Sequence, residues 1–166
     1  VHLNLDTRSV LRRYSQLPGH LPRVGLRINP GVQAGWGEQS KLQYGNSKFG
    51  FDDDAVLEAV AYAEALGLQV DTLHTHVGWG LQESAAPLLA QVYDRLAEWA
   101  QKIPTLRVLN VGGGLCVKQR PEDKPLNVQT WADLLRVHLG SVCQERGLSI
   151  ACEPGTFVMA TAGVLV

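Results

Sequence analysis

Residues 69–77 read QVDTLHTHV, and this stretch does more than any other to decide the fold. Its β-branched and apolar residues predict a β-strand, in which successive side chains point to opposite faces of a sheet. Thr72, His74 and His76 then share one face, whereas Leu73, Thr75 and Val77 lie on the other. Helices are therefore expected on only one side of this strand, and polar groups on the other.

Four further stretches of this kind alternate with helical patterns along the chain. The other predicted strands are Val1–Leu5, Arg23–Asn29, Leu106–Val111 and Leu148–Glu153. The predicted helices are Arg8–Gln16, Asp53–Leu66, Ala85–Lys102 and Val128–Arg146. Strict alternation of strands and helices predicts βαβ units and a parallel sheet. Gly140 lies inside the fourth helix and marks a point where that helix can break.

The polar faces of the predicted strands separate the two main architectures that a parallel sheet forms. A doubly wound sheet has helices on both faces, so both faces should be apolar. Polar residues gather instead toward the C-terminal ends of the strands, at Asp6, Arg27, Asn29, His76, Asn110 and Glu153. Active sites of (β/α)8 barrels lie at that end. The sequence therefore predicts an α/β fold that is part of a (β/α)8, TIM-like barrel, with about five of its eight parallel strands.

Composition and charge exclude several classes of function. Hydrophobic residues make up 45% of the 166 residues and charged residues 19%, which is typical of a globular domain. The net charge of -1, without a block of like charges, disfavours nucleic acid and anionic membranes as partners. No apolar stretch is long enough to span a bilayer. The three cysteines follow no metal-ligand spacing, so no metal site is predicted and a reduced, cytoplasmic setting is expected.

Arg27, His76 and Glu153 come from three predicted strands and should converge at the barrel rim. Burying such groups is costly unless they pair or meet a polar ligand, so a structural polar network and a ligand site explain them equally well. Glycines directly follow three of the predicted strands, at Gly78, at Gly112–Gly114 and at Gly155. Because glycine leaves backbone N–H groups accessible to an anion, these stretches favour a ligand site that binds phosphate.

Five segments occur in an order and spacing that resemble a known family. They are Leu26–Val32 (LRINPGV), Ser47–Gly50 (SKFG), Leu73–Gly78 (LHTHVG), Asn110–Leu115 (NVGGGL) and Glu153–Gly155 (EPG). No single segment is specific, but the combination covers nearly the whole chain. It resembles the alanine-racemase-fold decarboxylases that depend on pyridoxal phosphate, and among them the diaminopimelate decarboxylase group.

The resemblance implies a cofactor, a reaction and roles for individual residues. Pyridoxal phosphate is the implied cofactor, and the implied reaction removes a carboxyl group from a basic or diamino acid, with meso-diaminopimelate favoured and lysine as product. His76 matches the histidine that stacks on the pyridoxal ring, Glu153 the carboxylate that pairs with the pyridine nitrogen, and Arg27 a pocket arginine. The cofactor-binding set is completed by Gly78, Gly112, Gly113, Gly114, Gly155 and Thr156.

The resemblance also bears on what lies outside residues 1–166. The chain begins and ends inside apolar runs, and we expect it to be one partial barrel domain of a longer protein. The family's cofactor-linked lysine is expected before Val1, and a C-terminal β-domain after Val166. The parent protein is expected to be a homodimer that acts on a small amino acid, and the chain alone to be inactive.

Two departures from the family pattern leave alternatives open. Trp79 stands where the family commonly has serine, and Thr156 where it commonly has arginine; both positions normally help to hold the phosphate. One alternative is therefore a non-catalytic relative that regulates a partner enzyme. Another is a metal-dependent barrel hydrolase, because a pair such as His74 and His76 can bind zinc. The loop Gln33–Asn46 is long enough to cover the rim or to join a dimer.

Overall fold

The computed structural model describes residues 3–31 and 49–163. Its strands are β1 (Asn4–Leu5), β2 (Arg23–Asn29), β3 (Phe51–Asp52), β4 (Gln69–His74), β5 (Val108–Asn110) and β6 (Ser149–Ala151). Its α-helices are α1 (Arg8–Ser15), α2 (Val56–Ala65), α3 (Ala86–Lys102), α4 (Val128–Arg146) and α5 (Gly155–Met159). Val1, His2 and the loop Gln33–Asn46 lie outside the described residues.

The strands form a parallel sheet whose order in space follows the order of the chain. That order is β1-β2-β4-β5-β6, with β3 paired to β2, and each of these pairs is parallel. Crossovers between parallel strands are right-handed, so a chain that always advances in one direction places its helices on one face. The other face is left for polar groups, as inside a barrel. The predicted α/β class with parallel barrel strands is confirmed, and the sheet of the described residues stays open between β1 and β6.

The two faces of the sheet have opposite character. Leu26, Leu73 and Leu109 lie side by side in register, and all three are fully buried in the hydrophobic core. Each contributes about 1.5–3 kcal/mol through its removal from water. On the opposite face, Asn4 of β1 lies against Gly25 of β2, where a Cβ would stand 2.1 Å from the Asn4 Oδ1 atom. Gly25 thus makes room for a polar side chain on the inner face.

Three strands end earlier than the sequence predicts, whereas β2 has the predicted bounds, Arg23–Asn29. β4 ends at His74 rather than Val77, and β6 ends at Ala151 rather than Glu153. The reason lies in β5, which stops at Asn110 because Gly112 (φ +68°) turns the chain out of the sheet. His76 and Glu153 therefore lie on the segments beyond the strands. The sequence did not predict β3 and α5, which are too short to show a periodic pattern.

Helix α4 shows how local sequence sets the ends of an element. The Asn127 Oδ1 atom accepts a hydrogen bond from the Gln129 amide at 2.7 Å, and Gly147 adopts a left-handed conformation at the C-terminal end. The predicted break at Gly140 is wrong, since α4 runs through it: one glycine weakens a helix by about 1 kcal/mol without interrupting its hydrogen bonds.

No helix in residues 3–31 and 49–163 is long and apolar enough to cross a membrane.

Asp53 connects the start of α2 to α3. Its carboxylate accepts hydrogen bonds from Trp99 Nε1 at 2.7 Å and from Arg95 Nε at 2.7 Å. Burial alone would raise the pKa of Asp53, but the hydrogen bonds from Arg95 and Trp99 outweigh it, and the pKa falls below its ordinary value of 3.8. The ionised carboxylate therefore stabilises the fold.

We expect the Asp53→Ala substitution to lower the free energy of unfolding by about 2 kcal/mol, since it leaves Trp99 and Arg95 without their acceptor. The contribution should be complete above pH 3.8 and disappear as the pH falls through the lower folded pKa. Urea unfolding at several pH values measures both effects. The neighbouring Asp54 is exposed and serves as the control, with an expected change within about 0.5 kcal/mol on Asp54→Ala. Equal losses from the two variants would contradict the assignment.

Candidate functional site

The C-terminal ends of the strands bring three polar side chains into one row. Arg27 of β2 lies in register with His74 of β4, and His74 lies in register with Asn110 of β5. Each directly follows a core leucine, so all three occupy the inner face of the sheet. The segments after the strands add His76 and Glu153 beside this row, as described below. Of the polar residues predicted for the barrel rim, Arg27, His76, Asn110 and Glu153 are thus brought together at one edge of the sheet.

Glu153 is held at this edge by hydrogen bonds from its side chain and its backbone. Its Oε1 atom accepts a hydrogen bond from Asn110 Nδ2 at 2.8 Å. Its backbone N–H donates to the Gly112 carbonyl at 2.7 Å, and its own carbonyl accepts from the Gly155 amide at 2.8 Å. The side chain remains 47% exposed. Glu153 therefore presents a carboxylate that is anchored on one side and accessible on the other.

The three glycines after β5 allow the segments beyond the strands to touch through their backbones. A Cβ on Gly112 would lie 2.5 Å from the Thr75 carbonyl oxygen, and one on Gly113 would lie 2.0 Å from the Glu153 carbonyl oxygen. A Cβ on Gly114 would lie 2.2 Å from the Gly78 carbonyl oxygen. Side chains at these positions would force the segments apart. The Gly112 N–H donates to Asn110 Oδ1 at 3.0 Å, so this amide is engaged within the protein.

His76 is held in one orientation at the start of its segment. Its Nδ1 atom accepts a hydrogen bond from the Gly78 amide at 3.3 Å, which places the proton of the neutral ring on Nε2. Burial and the nearby charge of Arg27 lower the pKa of His76 below its ordinary value of 6.5. The imidazole is therefore neutral at pH 7 and does not cancel the charge of Glu153.

His74 lies beneath His76, at the end of β4, and is almost completely buried. Its Nε2 atom is 3.7 Å from Glu153 Oε2, a distance that would suit an ion pair. Burial lowers the pKa of His74 to about 4, however, although the charge of Glu153 opposes the shift. The ring is therefore neutral at pH 7, and the contact joins a neutral imidazole to a carboxylate.

Arg27 contacts the segment that precedes β3. Its guanidinium group lies over the Phe49 ring, 4.8 Å from the centroid. Gly50 allows this segment to approach β2, because a Cβ there would stand 2.9 Å from the Ile28 carbonyl carbon. The cation–π contact holds the arginine at the rim without neutralising it.

The remaining predicted residues lie around Glu153 and Gly78. Gly155 and Thr156 open the short helix α5, and both are exposed; a Cβ on Gly155 would meet nothing within 4 Å. Trp79 follows Gly78 and is half-buried. The space next to the Gly155 backbone is therefore open.

Sequence reasoning missed the parts that His74, Asn110 and Phe49 take in this arrangement. His74 was considered only as a metal ligand, yet its contact is with a carboxylate, and no group of three or more His, Cys, Asp or Glu side chains in residues 3–31 and 49–163 is arranged to hold a metal ion. A signal for His74 and Asn110 was present, because each lies on the polar face of its predicted strand and directly follows a core leucine. No signal pointed to Phe49.

The comparison with protein families decides the assignment of the chain. Residues 1–160 match the family described as "Pyridoxal-dependent decarboxylase, pyridoxal binding domain". The chain belongs to this family. Membership explains why polar strand ends and tightly packed glycine segments occur together in the chain, because both surround one edge of the sheet in this pyridoxal binding domain.

Individual relatives of this pyridoxal binding domain agree with the family. The diaminopimelate decarboxylase of Aquifex aeolicus is 30% identical over 98% of the chain and 39% of the relative. That of Methanothermobacter thermautotrophicus is 28% identical over 100% of the chain and 40% of the relative. The chain thus spans about two fifths of the length of the curated relatives that it matches.

Solved structures show the same fold. A crystal structure of diaminopimelate decarboxylase aligns with a TM-score of 0.78 and 25% identity, covering 95% of the chain and 37% of that structure. The diaminopimelate decarboxylase of Helicobacter pylori, crystallised with L-lysine, aligns with a TM-score of 0.77 over 92% of the chain and 39% of that structure. Its identity of 24% makes this second match a statement about the fold alone.

Proposed function

We propose that the protein carrying this chain is a pyridoxal-phosphate-dependent carboxy-lyase that decarboxylates a basic or diamino acid, with meso-diaminopimelate as substrate and lysine as product. The observation that carries the proposal is the anchored, half-exposed carboxylate of Glu153 beside two neutral histidines in a pyridoxal binding domain. The curated relatives above bear the name of the same activity.

The residues present fit pyridoxal phosphate. A protonated pyridine nitrogen pairs with a carboxylate that water does not fully surround, and the partly exposed side chain of Glu153 offers one. His74 and His76 are neutral, so neither competes for that charge. A Cβ on Gly155 would meet nothing within 4 Å, so the backbone at this position has room for a phosphate group.

When bound, pyridoxal phosphate supplies an electron-accepting ring for the electron pair that remains when carbon dioxide leaves. In our proposal the negative charge of Glu153 would favour a proton on the ring nitrogen, and His76 would cover one face of the ring and exclude water from it. Arg27 offers a positive charge to the pocket. We assign the phosphate to Gly78, Gly112, Gly113, Gly114, Gly155 and Thr156, although the amides of Gly78, Gly112 and Gly155 donate hydrogen bonds within the protein in this structure.

The oligomeric state and setting belong to the same proposal. We propose a homodimer in the cytoplasm. The setting is supported by Cys116, Cys143 and Cys152, none of which forms a disulfide.

The proposal is tested with the full-length protein encoded by the gene. We expect it to bind pyridoxal phosphate, followed by absorbance titration, and to release carbon dioxide from meso-diaminopimelate. The His76→Ala variant should bind the cofactor about three- to tenfold more weakly, because it loses an aromatic contact. His20→Ala, in the turn after α1, is the control and should bind as the wild type does. A wild-type protein that does not bind the cofactor contradicts the proposal, and one that binds it without turnover indicates the regulatory relative.

A further inference from the structure

His74 presents an energetic problem that its surroundings do not resolve. Both ring nitrogens are completely buried, and neither has a hydrogen-bond partner among the described residues. A buried polar group without a partner costs about 1–3 kcal/mol. A leucine at this position would avoid that cost, so the imidazole is expected to form a hydrogen bond in the working protein.

The nearest acceptor is Glu153. Asn110 Nδ2 already holds Oε1 of this carboxylate at 2.8 Å, and His74 Nε2 is 3.7 Å from the other oxygen, Oε2. His74 and Asn110 lie in register on neighbouring strands, so both approach the carboxylate from the same inner face of the sheet. The His74 side chain is 7% exposed and that of Glu153 is 47% exposed. The carboxylate is therefore the partner with room to close the remaining distance.

We propose that His74 is a positioning residue that donates its Nε2–H to Glu153 Oε2, so that His74 and Asn110 together fix both oxygens of the carboxylate. The consequence for the pyridine nitrogen rests on the proposed function. With one donor on each oxygen, the carboxylate cannot rotate, and its remaining lone pairs face the open side of the site.

The charge state of His74 suits this role. The groups that influence it are Glu153, Arg27 and His76, and burial keeps the ring neutral against the pull of Glu153. A neutral donor orients the carboxylate and leaves its negative charge intact, whereas a lysine or arginine at this position would neutralise it. Residue 74 therefore requires a neutral side chain with one N–H directed at Oε2.

Three substitutions in the full-length protein separate this donor from simple packing. A glutamine amide reaches the place of Nε2, an asparagine amide reaches only the place of Nδ1, and leucine has no donor. We expect His74→Gln to bind pyridoxal phosphate within about threefold of the wild type, and both His74→Asn and His74→Leu to bind it at least about tenfold more weakly. If all three variants bind the cofactor like the wild type, or if His74→Gln binds it as weakly as His74→Leu, the donor role is wrong. A purely structural role would not follow the position of the amide.

A second measurement needs no cofactor. In the full-length protein with 15N-labelled histidine, the ring signals of His74, assigned by their loss in His74→Gln, should show a neutral ring with the proton on Nε2. A proton on Nδ1 instead would overturn the proposal. This experiment also separates the two proposals, because failure of the wild type to bind pyridoxal phosphate refutes the proposed function and leaves the tautomer to decide the contact between His74 and Glu153.

Discussion

Substitution of Glu153 by glutamine is expected to lower kcat of the full-length protein by about 10²- to 10³-fold, an effect of the size found when one preorganised electrostatic group is removed from an active site. Glutamine keeps the shape of the side chain and an acceptor for Asn110 Nδ2, which lies 2.8 Å from Oε1. What it removes is the negative charge. In the proposed mechanism that charge favours the protonated ring nitrogen, and the loss should fall on turnover rather than on folding.

The measurement is carbon dioxide release from meso-diaminopimelate, together with urea unfolding of the same samples. The urea midpoint should stay close to that of the wild type, because the hydrogen bond to Asn110 survives. Glu122→Gln is the matched control, since Glu122 is exposed and has no assigned role at the site, and full activity is expected. If Glu153→Gln retains a third or more of the wild-type kcat, Glu153 does not have the assigned role.

Substitution of Gly113 by alanine is expected to destabilise the protein by about 3 kcal/mol, at the upper end of what overpacking costs. A Cβ at this position would lie 2.0 Å from the carbonyl oxygen of Glu153 and 2.8 Å from its carbonyl carbon. These are backbone atoms, so no side-chain rotation relieves the clash. The two segments must separate, and Glu153 moves with its backbone away from Asn110.

Two other glycines provide matched controls for Gly113→Ala. Gly140 lies in the interior of α4 with nothing within 4 Å of a Cβ, and Gly140→Ala should raise the free energy of unfolding by about 1 kcal/mol. Gly155 also has open space around it, and Gly155→Ala should leave stability nearly unchanged. Urea unfolding of the three variants gives the comparison. A loss for Gly113→Ala no larger than for Gly155→Ala would show that the segments are not in contact.

Much of the fold could be predicted because it depends on patterns that a single chain carries. The alternation around Leu73 and His74 gives a strand with one polar face, and this was enough to favour a barrel over a doubly wound sheet. The capping residue Asn127 and the terminal Gly147 define α4 locally. The sites of Arg27, His76 and Glu153 at the strand ends could be predicted for the same reason.

The contacts within the candidate site could not be predicted, because they depend on the register between strands, which no single strand encodes. The sequence shows that His74 and Asn110 are polar, but their position next to Glu153 follows from pairing between β4, β5 and β6. Their neutral or hydrogen-bonded state follows from burial, which is a property of the assembled sheet. Phe49 meets Arg27 only because β3 pairs with β2, and a two-residue strand leaves no pattern to read.

The glycine contacts limit how the lengths and residues of these segments can vary among related domains. Segments that touch backbone to backbone cannot be lengthened, shortened or given larger residues one at a time, so Thr75–Gly78, Gly112–Gly114 and Glu153–Pro154 must be inherited as a single unit. Insertions are tolerated farther along the chain, where residues 118–122 are exposed to solvent. Divergence in loop length should therefore accumulate at that outer stretch, while the innermost turns keep a constant length.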